Sequence, residues 1–397
     1  MSELLEVCLE SYGVPRPGSM DEQMHSVINK LSSLCKAWVK DSKIVPFGSF
    51  SLGTQSSDSD LDLILVAPKR VQRTSFQNQL LEILRRDPEV LCCQGIFTAK
   101  VPLIKLVFKE VEVDLLFANT DSTCLSKDLF DCDYQSLLTL NGYRNSKFLL
   151  KLVPDKQKFQ KVLRAVKLWA TKRSIYSNCM GYLGGFAWAL LAGKICIEYS
   201  RLSVPFLVGK FFEYYKNWDW RVCVSLVPSM YKQRSVAPMT ILTLASPVYN
   251  AAYTLTYTNF MFIQQEFELA YEVSQRILTE GLEWKSLFAE LRFFDVFEYF
   301  LKIEVVGRNL EEFTKLKGSF LSQLRYLVEE IENSYLAAEV SPYTKHFKAS
   351  PYSSVYFVGI NCFRNPRFFV KWLIKDLKHY FQSPSINFYF LPKASLT

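Results

Sequence analysis

The chain has 397 residues, of which 49% are hydrophobic and 15% are aromatic, and this composition predicts two or three domains with substantial cores. Ten cysteines occur without a C-x-x-C pair and with only three histidines. A zinc site is therefore not expected, and the cysteines are interpreted as reduced core residues of an intracellular protein. The longest apolar run, Tyr182 to Gly193, is too short to cross a bilayer, and the N-terminus lacks a targeting pattern, so no membrane partner is expected.

The formal net charge of +8 is concentrated in two segments, residues 151–173 and 341–397. Each segment contains eight Lys or Arg residues and a single Asp. Such clustering favours a polyanionic partner, because phosphate binding depends on gathered Lys and Arg side chains. We therefore expect RNA contact from both segments, although a helical run of lysines can also be a face that meets only solvent.

Two helices are predicted at the N-terminus. Residues 2–10 carry apolar side chains at helical spacing, and Ser19 or Asp21 can cap a second helix that extends to about Lys40. We expect these helices, as a unit of residues 1–40, to pack on a central helical domain.

Strands and a helix follow in the next part of the chain. Strands are predicted at residues 44–47, 61–67, 101–108 and 111–117, with a helix from Ser75 to Arg86. This mixture predicts a compact α/β domain over residues 41–146. Residues 147–285 are mostly helical in pattern and apolar on one face, which predicts the central helical domain.

The last part of the chain, residues 286–397, predicts the order β-α-β-β-α-β. The predicted elements are Val296 to Val306, Leu310 to Ile331, Tyr335 to Val340, Val355 to Ile360, Pro366 to Phe381 and Ile386 to Leu391. This order is typical of a ferredoxin-like or RRM-like domain, and the whole chain is predicted to be an α+β multidomain protein. No good RNP1 motif is present, so the domain is expected either to contact RNA through charge or to brace the other domains.

The motif with the clearest chemistry reads F-G-S-F-S-L-G-T-Q-S-S-D-S-D-L-D, Phe47 to Asp62. Asp60 and Asp62 are two residues apart at the head of an apolar strand, so both side chains face the same way. Asp114 lies in a second strand, V-E-V-D-L-L-F-A. Three converging carboxylates could hold two Mg²⁺ ions roughly 3.5–4 Å apart, the spacing used for in-line phosphoryl displacement.

A tight turn at Gly48 and Ser49 precedes these carboxylates and could hold phosphate oxygens. Each feature alone has an ordinary alternative: a D-x-D arises by chance, a Gly-Ser pair is usually a turn, and Asp114 could be an edge-strand charge. Their order along the chain, each at a strand or turn, favours a nucleotidyl-transfer site.

Longer motifs carry a family resemblance. They are V-P-L-I-K-L from Val101 to Leu106, L-N-G from Leu140 to Gly142, and the run from Leu163 to Trp188. Together with the carboxylate motif, they resemble the DNA polymerase β-type nucleotidyltransferases and, within them, the eukaryotic nuclear poly(A) polymerases. The resemblance extends over nearly the whole chain.

The resemblance implies an enzyme that adds AMP from ATP to RNA 3′ ends without a template and releases pyrophosphate, with Asp60, Asp62 and Asp114 as catalytic metal ligands. Mg²⁺ is the expected ion, and Mn²⁺ stays open because oxygen ligands suit both. The residues implied to contact the nucleotide are Phe47, Gly48, Ser49, Ser56, Asn141, Lys167, Tyr176, Gly185 and Phe186. Lys167 could instead be a snorkelling lysine, and Tyr176 a core aromatic.

The resemblance also implies partners and a location. ATP, the 3′ end of RNA, and cleavage and polyadenylation factors are the expected partners, and the nucleus is the expected location. The cytoplasm stays open, because the chain is not expected to carry the Ser/Thr-rich tail with import signals that some family members have after the last strand.

Three departures from the family pattern bear on the choice of base. Lys100 stands where the family often has Phe, Phe186 replaces a small aliphatic residue, and Ala251 and Ala252 replace the Ser and Thr of N-S-T-Y. A related terminal transferase, such as a uridylyltransferase, is therefore kept as an alternative. An inert RNA-binding scaffold and, more distantly, DNA repair synthesis are the others.

Overall fold

The structure is a computed structural model that describes residues 1–16, 21–55, 59–121, 125, 132–227, 234–334, 337–362 and 385–395. Its first part contains two helices, a five-stranded sheet and three short helices. In chain order they are α1 (Ser2–Ser11), α2 (Asp21–Trp38), β1 (Lys43–Pro46), α3 (Gly48–Leu52), β2 (Leu61–Ala67), α4 (Arg73–Ser75), α5 (Leu81–Arg86), β3 (Val90–Ile96), β4 (Leu103–Phe108) and β5 (Val111–Asn119). A single π-helical turn, Phe76–Leu80, joins α4 to α5.

The remaining elements form a helical region and a second sheet. They are α6 (Tyr134–Leu152), α7 (Lys156–Lys172), α8 (Gly185–Glu198), α9 (Val204–Lys216), α10 (Tyr257–Glu280), α11 (Phe293–Val296), β6 (Tyr299–Val306), α12 (Leu310–Asn333), β7 (Ala337–Pro342), β8 (Phe347–Ser350), β9 (Ser353–Cys362) and β10 (Ile386–Pro392). None of the described helices is long and apolar enough to cross a membrane.

The first sheet has the strand order β1-β2-β5-β4-β3, and β2 and β5 run parallel. Apart from Asp62, strand β2 is apolar, because both of its faces are covered. Leu63 and Leu65 pack into one core, while Ile64 and Val66 pack on the opposite face with Leu140 of α6. By the two-residue period of a strand, Asp62 faces the α6 side.

Strand β3 was absent from the sequence prediction. Its sequence, V-L-C-C-Q-G-I, lacks a clear apolar alternation, and its side chains are mostly half-buried rather than split between core and solvent. It pairs with β4 at the edge of the sheet, so only its neighbour reveals it as a strand.

The N-terminal helices divide between two cores, which corrects the expectation that both pack on the helical region. Leu5 and Leu9 of α1 do join the core that contains α7. Helix α2 instead buries Val27, Leu31 and Cys35 against the first sheet, in the core that contains Leu63 and Leu65. Both helices are amphipathic, and periodicity alone does not say which apolar surface an apolar stripe will meet.

The helical region is built around clustered aromatic side chains. Trp169 of α7 lies 5.7 Å from Trp188 of α8 and 4.8 Å from Phe212 of α9, measured between ring centroids. Phe267 of α10 stacks on Trp169. Large apolar areas buried by four helices make this region a firm support for the side chains on α7.

The second sheet has the antiparallel order β10-β6-β9-β7, with the small strand β8 beside β9. Helix α12 connects β6 to β7 and buries Phe320, Leu324 and Leu327. This strand order is that of a ferredoxin-like domain, so the predicted RRM-like architecture and the α+β fold class are confirmed. The predicted helix from Pro366 to Phe381 lies outside the described residues.

Candidate active site

The paired carboxylates lie at the same end of two neighbouring interior strands of the first sheet. Asp62 of β2 and Asp114 of β5 are register partners on adjacent parallel strands, and Asp60 directly precedes β2. Burial, together with the negative charges of Asp114 and Asp60, raises the pKa of Asp62 to about 7. Burial also raises the pKa of Asp114. The sheet therefore gathers negative charge that needs a cation nearby.

That cation in this structure is Lys105 of β4, which is the register partner of Asp114. Its ammonium Nζ lies 3.4 Å from Asp60 Oδ2, 3.4 Å from Glu112 Oε2 and 3.7 Å from Asp114 Oδ1. Burial opposes the charged form, but Asp114, Asp60 and Glu112 together raise the pKa of Lys105 above its ordinary value. Lys105 was noted in the sequence only as part of V-P-L-I-K-L, without a role.

The predicted convergence of three carboxylates on metal ions is not preformed. Across the described ranges, which include all three Asp residues, no three acidic, His or Cys side chains lie together at metal-binding spacing. The donors nevertheless suit a hard divalent cation, since all are carboxylate oxygens. Asp114 Oδ1 is buried, and its contact with Lys105 Nζ, at 3.7 Å, is longer than a hydrogen bond, so this oxygen could accept a closer cation.

The turn at Phe47 and Gly48 is fixed by its contact with Asp62. The Phe47 N–H donates to the Asp62 carbonyl oxygen over 3.0 Å. Gly48 has φ +62°, and a Cβ at this position would overlap the Asp62 carboxylate and lie 3.0 Å from its Cγ. Only glycine allows the turn to pass so close to the carboxylate.

The side chain of Phe47 is accommodated by a second glycine. A Cβ on Gly142 of α6 would lie 2.8 Å from the Phe47 ring. The L-N-G motif therefore has a structural reason, because it lets this ring rest against the backbone of α6. Phe47, Gly48 and Ser49 all line the same cleft as Asp60 and Asp62.

The opposite wall of the cleft carries Lys167 on α7 and Tyr176. Lys167 Nζ donates to the Thr54 carbonyl oxygen over 2.9 Å and lies 6.0 Å from the centroid of the Tyr176 ring. Burial lowers the pKa of Lys167 to about 8, while Asp62 acts in the opposite direction. Burial, with a smaller effect of Asp62, raises the pKa of Tyr176 to about 12.

The start of α8 is shaped by Tyr176. A Cβ on Gly185 would lie 2.5 Å from the Tyr176 hydroxyl oxygen, so the glycine makes room for this hydroxyl. Gly185 and its neighbour Phe186 line the cleft beside Lys167 and Tyr176. The cleft has a volume of about 900 Å³, a size that accommodates a nucleotide.

Two of the residues predicted to contact the nucleotide, Asn141 and Ser56, are not among the described residues that line the cleft. Asn141 is buried behind the cleft wall: its Nδ2 donates to the Pro247 carbonyl oxygen over 3.1 Å, and its Oδ1 accepts from Asn145 over 2.8 Å. Asn141 does not line the cleft, whereas Asn145 does. Ser56 lies outside the described residues.

The substituted positions of the N-S-T-Y motif belong to a folded turn. Ala252 is buried, and its N–H donates to Asn250 Oδ1 over 2.9 Å. Asn250 Oδ1 also accepts from the Ile241 N–H. Ala251 packs against the central core. At the other substituted position, Lys100, the backbone carbonyl accepts a hydrogen bond from the Gln135 side chain. None of these three residues, Lys100, Ala251 and Ala252, lines the cleft.

The basic segment 151–173 makes many contacts within the protein, and RNA contact from it stays a prediction. The structure describes the whole segment and engages six of its eight cations in ion pairs or hydrogen bonds to carbonyls. These six are Lys158, Lys161, Arg164, Lys167, Lys172 and Arg173. The 341–397 segment is described only in part, and its RNA contact stays a prediction.

Several cleft residues were missed by sequence reasoning. The cleft is also lined by Tyr12, Gly13, Val14, Asn145, Arg164, Lys172, Asn178 and Tyr249. Arg164 is 1% exposed and pairs with Glu6 of α1 over 3.0 Å, while it also donates to the Val14 carbonyl. Tyr12, Gly13 and Val14 directly follow α1, and no local pattern in the sequence indicates that they reach the cleft.

Three family models match consecutive parts of the chain. They are the poly(A) polymerase nucleotidyltransferase domain at residues 40–153, the poly(A) polymerase central domain at residues 158–290, and the poly(A) polymerase predicted RNA binding domain at residues 292–355. This chain belongs to the poly(A) polymerase family. The family prediction from the sequence motifs is thereby confirmed.

Similar poly(A) polymerases have 27–32% identity. The poly(A) polymerase of Dictyostelium discoideum is 30% identical over 87% of this chain, and the poly(A) polymerase pla1 of Schizosaccharomyces pombe is 32% identical over 77%. Nuclear poly(A) polymerase 1 of Arabidopsis thaliana is 27% identical over 94%. The chain spans 47%, 58% and 59% of the lengths of the Dictyostelium, Schizosaccharomyces and Arabidopsis proteins, respectively.

Solved structures of Cid1 share the fold of this poly(A) polymerase family member. A Cid1 structure described by its RNA terminal uridylyl transferase activity matches 73% of this chain and 98% of its own, with TM-score 0.55 and 18% identity. A GTP-bound form of the Cid1 poly(U) polymerase gives TM-score 0.55 and 20% identity over 73% of this chain and 99% of its own. At this identity the likeness extends to fold alone.

Proposed function

We propose that this chain adds AMP from ATP to RNA 3′ ends without a template, as in mRNA polyadenylation, and releases pyrophosphate. The observation that carries the proposal is the single cleft in which Asp60 and Asp62 face the cationic Lys167. Carboxylates on one wall suit divalent metal ions, and a buried cation on the other wall suits the triphosphate of a nucleotide that binds with those ions.

Asp60, Asp62 and Asp114 are the proposed ligands of divalent ions, which members of the nucleotidyltransferase superfamily generally use, and two Mg²⁺ ions are proposed here. When bound, such ions activate the 3′-hydroxyl and neutralise the leaving pyrophosphate. The protein's own contribution is to hold the carboxylates on paired strands. Lys105 is proposed to keep these carboxylates close together until the ions arrive, because it offsets their mutual repulsion.

The turn and the opposite wall are proposed to bind ATP. Gly48 and Ser49 would present backbone N–H groups to the phosphates, and Lys167 and Tyr176 would reach the triphosphate from the other side. Lys167 donates to a carbonyl in this structure, so a triphosphate would offer it a charged acceptor in place of a neutral one. Phe186 beside Gly185 is proposed to shape the base pocket.

The domain boundaries predicted from the sequence are proposed to separate three domains with different roles. Residues 41–146 carry the carboxylates, residues 147–285 carry Lys167 and Tyr176, and residues 286–397 are proposed to contact RNA. Cleavage and polyadenylation factors are the proposed partners and the nucleus is the proposed location, on the basis of the relatives named nuclear poly(A) polymerase.

The test is extension of a labelled oligo(A) RNA by the purified chain with Mg²⁺ and each nucleoside triphosphate singly, beside an Asp114→Ala variant. Extension with ATP alone, lost in the variant, is the expected result. Better extension with UTP would replace the proposal by a uridylyltransferase. RNA binding without extension by any nucleotide would indicate an inert scaffold.

A further inference from the structure

Three exposed tyrosines lead away from the catalytic cleft. Tyr249 lines the cleft and is 42% exposed, and Tyr253 follows it on the same loop with 67% of its surface exposed. Tyr326 of α12 is 48% exposed. We name Tyr249, Tyr253 and Tyr326 the tyrosine strip.

Arg325 joins the two parts of the strip. Its guanidinium carbon lies 4.5 Å from the centroid of the Tyr326 ring and 6.0 Å from that of Tyr253. The strip therefore continues from the helical region onto the RRM-like domain. Arg325 is only 15% exposed, and its Nε lies 3.5 Å from Glu329 Oε1. The guanidinium is therefore held by this ion pair and by the rings beside it.

The loop that carries Tyr249 and Tyr253 is held by its backbone rather than by these rings. Arg144 donates to the Ser246 carbonyl over 2.6 Å, and Asn145 Oδ1 accepts from the Leu244 and Ala245 N–H groups. The Tyr249 N–H donates to Thr243 Oγ1 over 3.0 Å. The fold thus fixes the loop and leaves the two rings presented to solvent.

Exposed, pre-positioned aromatic rings are what single-stranded nucleic acids stack on. We propose that the tyrosine strip is a stacking platform for bases of the RNA upstream of its 3′ end. This inference rests on the proposed function, because the strip begins where the 3′ end would lie. The charge of Arg325 is offset by Glu329, so stacking rather than phosphate attraction is the expected source of affinity.

RNA is the occupant that the position of the strip favours. Tyr249 belongs to both the cleft and the strip, so a chain with its end at the carboxylates can reach the strip without a break. A protein partner bound at the strip would not need a surface that is continuous with the cleft. A very short primer would end before Tyr326, whereas an oligo(A) of about 12 nucleotides lies well within the roughly 4–16-nucleotide range of single-strand binding sites and would reach it.

The test measures binding of labelled oligo(A) by fluorescence anisotropy, without metal or ATP. Tyr253→Ala with Tyr326→Ala is expected to weaken binding of the longer RNA about 10- to 100-fold, and the corresponding Phe variants are expected to keep wild-type affinity. Tyr271→Ala is the matched control, since Tyr271 is a half-buried tyrosine of the helical region that also lies beneath a cation, Lys216, 4.5 Å from the centroid of its ring.

Salt dependence separates stacking from charge. The Ala variants should leave the slope of log affinity against log salt unchanged, because no phosphate contact is removed. A slope reduced by about one, together with weak binding in the Phe variants, would overturn the stacking proposal in favour of a charge contact. Ala variants that bind the longer RNA as well as wild type would overturn it too and leave the strip as a protein-binding surface.

Extension assays keep the two proposals apart. Wild-type protein that binds RNA but extends it with no nucleotide would refute the proposed function, whatever the tyrosine variants do. Wild-type extension with ATP, combined with unchanged KM for the longer RNA in the Ala variants, would refute the stacking platform alone. The expected result is a raised KM for the longer RNA with an unchanged KM for ATP, and little change for the very short primer.

Discussion

Replacing Gly48 with Ala should separate damage to the site from damage to the fold. The Ala methyl would occupy space held by the Asp62 carboxylate, which must move, since Cγ lies 3.0 Å and Cβ 3.3 Å from the added atom. A φ of +62° also costs an L-residue about 1–2 kcal/mol. We therefore expect a modest loss in the free energy of unfolding and a much larger loss of activity.

The size of the activity loss follows from the displacement. The added Cβ has to be separated from an oxygen and a carbon that it overlaps, which requires a movement on the order of 1 Å. Misplacement of a reacting group by this amount costs about 100-fold in rate. The assay is ATP-dependent extension of oligo(A), measured as kcat/KM for ATP beside urea unfolding of the same preparation.

Gly281 provides a matched control. It has φ +74° at the end of α10, and a Cβ there would meet nothing within 4 Å. Gly281→Ala should therefore show a similar backbone cost without loss of activity. If Gly48→Ala kept wild-type kcat/KM, or if Gly281→Ala lost as much activity, the argument from the Asp62 contact would be wrong.

Three further predictions concern the opposite wall and α1. Burial lowers the pKa of Lys167 to about 8, so its charged form is lost as pH rises through that value and kcat/KM for ATP should fall there. Lys167→Arg should remove this fall in kcat/KM at high pH, because arginine stays charged. A fall that persists in the variant would assign it to another group. Gly185→Ala should raise KM for ATP by displacing the Tyr176 hydroxyl, and unchanged ATP titrations would contradict that contact. Glu6→Ala leaves Arg164 buried without its carboxylate and should cost about 3–5 kcal/mol in urea unfolding; a loss below about 1 kcal/mol would mean that the pair is not needed to hold α1.

Local patterns in the sequence predicted the elements of the first sheet that carry the carboxylates. The two-residue spacing of Asp60 and Asp62 at the head of the apolar run L-D-L-I-L-V places both side chains on one face whatever the strand pairs with, because the side-chain period of a strand is two. The long motifs predicted the family, which the family models confirm. The order of elements after residue 286 predicted the ferredoxin-like sheet, although β8 was missed.

Roles that depend on pairing between distant segments were beyond these patterns. Asn141 matched a family motif, yet its amide holds the turn at Pro247, and that use depends on a segment about 100 residues away. The basic residues of segment 151–173 were predicted to contact RNA from their clustering alone. The structure adds that Glu6, Glu290 and Glu266 bring counter-charges to Arg164, Lys172 and Arg173 from elsewhere in the chain.

The sequence by itself determined which residues share a strand face or a helix turn, since those relations follow from φ, ψ and chain order alone. Only the tertiary structure decided that Lys105 meets Asp60 and Asp114, because that contact depends on the register between β4 and β5. It also decided that Tyr253 and Arg325 meet across two regions of the chain. Such contacts depend on the way in which extensive apolar surfaces pack together, and no local stretch of sequence carries that information.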